Sequence, residues 1–105
     1  MRAASSLAYV ENRAVDRDEV HFRARATGPG GRPLTLLIVN LSPHGLMARL
    51  DASIQQGDLI RVQLPVVGQV IVDVRWSLGG RIGGQFDPVL DRATYYQLLA
   101  HVMRG

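Results

Sequence analysis

The chain has 105 residues, 47% of them hydrophobic, enough for one domain to bury its own core without disulfide or metal staples. It has no cysteine, which excludes disulfide frameworks, thiolate metal sites and cysteine nucleophiles. All twelve basic residues are arginine and the formal net charge is +3, which invites an anionic partner. However, Glu11, Asp16, Asp18 and Glu19 interleave with Arg13, Arg17, Arg23 and Arg25 and argue against a broad nucleic-acid-binding face.

Residues 1–10 hold a single arginine and no sustained apolar run, so they read as a tail and not as a signal peptide or membrane anchor. No later apolar run approaches transmembrane length, and the expectation is a soluble, cytoplasmic protein without membrane insertion. Residues 11–19 form a polar arm, and residues 20–27 then alternate apolar and polar as a half-buried strand does. The Gly/Pro-rich stretch 28–33 breaks that strand; residues 34–41 supply a second, and residues 45–50 a third after the turn at 42–44. A polar loop at 51–58 leads to two alternating strands, 59–64 and 69–76, separated by a turn at 65–68. Residues 79–84 read as a glycine-rich turn before a last short strand at Gln85 and Phe86. Asp87-Pro88 then reads as a helix start, with aspartate capping free backbone donors and proline at the first helical position. Tyr95, Leu98, Leu99 and Val102 follow at helical spacing, so one face packs on the strands. Short strands with regular turn punctuation point to a small antiparallel barrel or sandwich.

Two short motifs carry the chemistry. Arg13 and Arg17 stand four apart as R-x-x-x-R, and Asn40, Ser42 and Gly45 form N-x-S-x-x-G across the turn between the second and third strands. Two permanently charged planar forks can hold phosphate and the acceptor edge of guanine, while the turn offers an amide, a hydroxyl and close backbone approach. A guanine nucleotide meets all of these demands. Either motif can also be explained blandly: solvated arginines on a polar segment, and ordinary turn formers. His21, His44 and His101 are too scattered for a metal site or a nucleophile constellation, and residues 79–84 lack the lysine and following Ser/Thr of a phosphate-binding loop. No catalytic residue, metal or cofactor is expected.

The order of these parts resembles a PilZ domain, the bacterial receptor module for cyclic di-GMP, from about Glu11 to Met103. The features that carry it are R-x-x-x-R ahead of the first strand, N-x-S-x-x-G ending the second, the V-x-W strand ending at Trp76, Gly83-Gly84-Gln85-Phe86, and the closing helix. The resemblance implies an all-β fold, a six-stranded antiparallel barrel with a C-terminal helix, divided as tail 1–10, arm 11–19, barrel 20–87 and helix 88–103. It implies that Arg13 and Arg17 reach the phosphates and guanine acceptor atoms of cyclic di-GMP, that Asn40 accepts from a guanine N–H, and that Ser42 and Gly45 complete the turn. Some relatives set an aromatic against the ligand near the position of Trp76; the lone tryptophan of a small barrel reads equally as core. The expected output is a change in the N-terminal arm read by an unidentified downstream effector protein. The alternative is a nucleotide-independent protein interaction module. A single-stranded nucleic-acid binder ranks last because the aromatics are dispersed and give no stacking platform.

Overall fold

The structure, a computed structural model, describes residues 17–104. Its elements are β1 (Asp18–Thr27), β2 (Pro33–Leu41), β3 (Gly45–Arg49), β4 (Leu59–Leu64), β5 (Gly68–Leu78), β6 (Arg81–Asp87) and a helix, α1 (Arg92–Arg104). The six strands close into a barrel in the order β1-β2-β3-β6-β5-β4, with every neighbouring pair antiparallel. This is the six-stranded antiparallel barrel with a C-terminal helix that the family resemblance implies, and it resolves the strand pattern's choice of barrel or sandwich in favour of the barrel.

Period-two alternation builds the core. Ala24 and Ala26 of β1, Leu34, Leu36 and Ile38 of β2, Ile60, Val62 and Leu64 of β4, and Val72 and Val74 of β5 all point inward and are buried. They meet Leu46, Ala48, Ile82 and Phe86 from the remaining strands, and Tyr95, Leu98 and Val102 of α1 join the same cluster. Each fully buried aliphatic side chain contributes about 1.5–3 kcal/mol, so these positions dominate the stability of the barrel. The Tyr95 hydroxyl donates to Asp18 Oδ2 at 2.5 Å and lies 3.1 Å from the Leu41 carbonyl oxygen, tying α1 to the point where β1 begins and β2 ends.

Three expectations are corrected. β1 starts at Asp18, so Asp18 and Glu19, expected in the arm, are strand residues paired with Leu41 and Asn40. The turn expected over 79–84 is confined to Gly79 and Gly80, and Gly83 and Gly84 lie inside β6. Those two glycines answer close approach, not turning: a Cβ on Gly84 would stand 2.4 Å from Val72 Cγ1, and one on Gly83 would stand 2.2 Å from Trp76 Nε1. The helix does not open at Asp87-Pro88. From the end of β6 onward the chain stays on the turn following β2, with the Phe86 N–H donating to the His44 carbonyl at 2.7 Å and the Leu90 N–H to the Pro43 carbonyl at 2.9 Å. Asp91 is the cap instead, bonded through its carbonyl to the Tyr95 N–H at 2.9 Å. Hydrogen bonding from the Thr94 side chain, with backbone donors of Thr94 and Ala93, holds the Asp91 carboxyl below its ordinary value near 3.8.

Candidate ligand-binding site

Strict alternation would aim Asn40 inward with Leu34, Leu36 and Ile38, and Trp76 inward with Val72 and Val74. Two β-bulges prevent this. Between Ile38 and Asn40, β2 carries one residue more than β3, and between Val74 and Trp76, β5 carries one more than β6. An extra residue reverses the facing of everything beyond it. Asn40 and Trp76 are thereby turned to the outside of the barrel, in one transverse row: Trp76 opposite Gly83, Gly83 opposite Met47, Met47 opposite Asn40. Trp76 is 39% exposed and is therefore not the core residue that its parity with Val72 and Val74 suggests. Its indole lies against the bare backbone of Gly83, the position that a β-carbon would occupy.

This row is part of an open cleft of about 310 Å³ on the barrel's outer face, lined among others by Arg17, Asn40, Ser42, Gly45 and Trp76. Five of the six residues singled out from the sequence thus converge on one surface; the sixth, Arg13, lies outside the described residues. A larger depression of about 500 Å³ involves Arg25, Thr35 and Gln63 elsewhere on the barrel and brings together none of them. The Ser42 hydroxyl oxygen accepts the N–H groups of His44 at 3.1 Å and Gly45 at 3.2 Å, which fixes the turn and leaves its proton free to be donated. Gly45 does not adopt a positive φ; its missing Cβ would stand 2.0 Å from the Gly84 carbonyl oxygen, so β3 and β6 pair closely here only because it is glycine.

Arg75 and His44 also line the cleft, as do Gly83, Gly84 and Gln85, which enter the family resemblance but are not among the ligand contacts expected from the sequence. Arg75 donates through Nη2 to Gln85 Oε1 at 2.6 Å and stands 3.9 Å from Asp73 Oδ2, a solvent-exposed pair that contributes little energy. Arg17 and Arg75 therefore bring two guanidinium groups to a cleft that also holds one flat indole. The signal for Arg75 was its place beside Trp76, but alternation sends neighbours to opposite faces, and only the bulge brings both out.

The chain matches the PilZ domain family over residues 11–104 and belongs to that family. No curated protein matches it. PilZ domains are ligand-binding and adaptor modules, in general cyclic di-GMP receptors, although some members do not bind the nucleotide. Among the described residues, no helix is long and apolar enough to cross a membrane.

Proposed function

We propose that this PilZ domain binds cyclic di-GMP in the outer cleft and reports its occupancy to a partner protein. The observation that supports this is the convergence of Arg17, Asn40, Ser42, Gly45 and Trp76 on one open surface beside Arg75. In this reading Arg17, with Arg13, grips phosphate and the acceptor edge of guanine, each guanidinium presenting donors in a planar fork. The Asn40 carbonyl oxygen accepts from a guanine N–H, Ser42 donates its remaining proton, and a base stacks on the exposed face of Trp76. Stacking of this kind contributes about 1–3 kcal/mol in nucleic-acid complexes.

Signalling follows from where Arg17 stands. It immediately precedes β1, and its neighbour Asp18 is held by Tyr95 of α1. A ligand that engages Arg13 and Arg17 draws residues 11–17 over the cleft and changes the surface next to the start of β1. An effector protein reads that surface. Hydrogen exchange of residues 11–17 should fall with saturating ligand; equal exchange in both states overturns the arm mechanism.

Binding itself is tested by isothermal titration calorimetry of cyclic di-GMP into the full chain, with GTP as competitor and Arg17→Ala alongside. Micromolar or tighter binding that survives GTP and is lost in the variant is expected. Absence of heat from a folded wild type would favour the nucleotide-independent interaction module.

A further inference from the structure

A second transverse row crosses the barrel next to the cleft. Two residues along each strand from Trp76, Gly83, Met47 and Asn40, allowing for the bulge in β2, the register sets Leu78 opposite Arg81, Arg81 opposite Arg49, Arg49 opposite Leu37, and Leu37 opposite Arg23. Arg23, Arg49 and Arg81 are exposed, and Leu78 is 78% exposed. No ion pair or hydrogen bond from another described residue engages these three guanidinium groups. Arg49 and Arg81 face each other directly across β3 and β6, an arrangement that weakens a sheet because like charges oppose. A fold selected for stability alone would place a carboxylate at one of these positions.

We infer that this row is a docking surface for an acidic, leucine-bearing protein segment. The chemistry is complementary: guanidinium forks take carboxylates in bidentate pairs, and Leu78 and Leu37, which flank the Arg81–Arg49 pair three steps apart, offer apolar contact on either side of it. Four inter-strand steps span about 19 Å, the reach of an extended segment of roughly six residues. Two residues further along β1 and β2 from Arg23 and Leu37, the next outward pair is Arg25 and Thr35, at the edge of the depression of about 500 Å³, so the row's Arg23 end lies beside a recess. A single nucleic-acid strand fits less well, because no aromatic side chain in the row can stack a base. An anionic membrane fits less well too, because exposed Asp51 lies just beyond Arg49 and meets headgroup phosphates with like charge. The inference does not depend on the nucleotide reading, and its test uses ligand-free protein.

The experiment titrates the full chain into a short fluorescent peptide of the pattern Leu-Ser-Glu-Ser-Leu-Ser-Glu, which in extended form sets leucine and glutamate on one face, and follows anisotropy. Wild type is compared with Arg49→Gln/Arg81→Gln and with Arg61→Gln/Arg92→Gln, which removes the same charge from β4 and α1. The row variant should weaken binding roughly tenfold or more, as expected for lost bidentate pairs, while the control changes Kd by no more than about twofold. Thermal melts accompany the titration: relieving the Arg49/Arg81 opposition should raise Tm by about 1–5 °C, so weaker binding cannot be ascribed to unfolding. Equal weakening by both variants, or tighter binding to single-stranded RNA or phosphatidylserine vesicles than to the peptide, overturns the inference.

Discussion

Gly83→Ala tests how the cleft is built, because it alters the site without removing any polar group from it. A methyl at this position would stand 2.2 Å from Trp76 Nε1, 2.4 Å from Cε2 and 2.8 Å from Cζ2. The indole is rigid, so it must leave the floor of the cleft by rotating towards solvent. With 39% of Trp76 exposed, the sheltered part of the side chain is roughly 150 Å², and losing it entirely would cost about 4 kcal/mol at 25 cal/mol/Å². The new methyl covers part of the vacated surface and the displaced ring keeps some contacts, so the expected loss of stability is about 1–3 kcal/mol. The ligand loses its stacking partner at the same time, weakening cyclic di-GMP binding by about 5- to 150-fold. Trp76 is the sole tryptophan, so its emission reports the movement directly and should shift to the red. In a Trp76→Ala background, Gly83→Ala should add almost nothing, because the group it displaces is gone. Unchanged emission and affinity in Gly83→Ala, or a full additional loss in the double variant, would refute this account of the cleft floor.

Asn40→Asp should tighten cyclic di-GMP binding about fivefold, since a carboxylate is a stronger acceptor than an amide, as calorimetry would show. It should also lower stability by about 0.2–1 kcal/mol in denaturant melts, because Glu19 stands directly opposite residue 40. Tyr95→Phe removes the hydroxyl shared by Asp18 and Leu41 and should cost about 1–2 kcal/mol in urea unfolding while leaving α1 in place by circular dichroism. Asp91 has a folded-state value below 3.8, so its charged cap contributes stability above that pH and loses it as pH falls through the lowered value. The stability gap between wild type and Asp91→Asn should therefore be constant near neutrality and shrink in acid below about pH 3.8, read from melts across that range.

Most strands were legible because alternation marks them: Leu34, Leu36 and Ile38, or Ile60, Val62 and Leu64, repeat at period two and are buried. The same rule misleads at Asn40 and Trp76. A bulge adds one residue without a compositional mark, so the sequence kept the motif while concealing which face it occupies. Gly83 and Gly84 were read as turn residues because glycine relieves backbone strain, whereas here it makes room for neighbouring atoms, a need that only the partner strand reveals. The helix start was misread for a related reason: Asp87-Pro88 suits a helix start locally, but Phe86 and Leu90 spend their N–H groups on the turn at 43–44, and Asp91 is left to cap. Arg75 and the Arg23/Arg49/Arg81 row depend on strand register, which no spacing along the chain reports.

The most direct test of the central claim is a titration of isotope-labelled protein with cyclic di-GMP followed by amide NMR shifts. The account predicts saturable shifts concentrated at Arg17, residues 40–47, Arg75, Trp76 and residues 83–85, with the Trp76 indole N–H among the largest. Shifts centred on the exposed side of α1 or on β4, or no shifts at all from a folded protein, would contradict it.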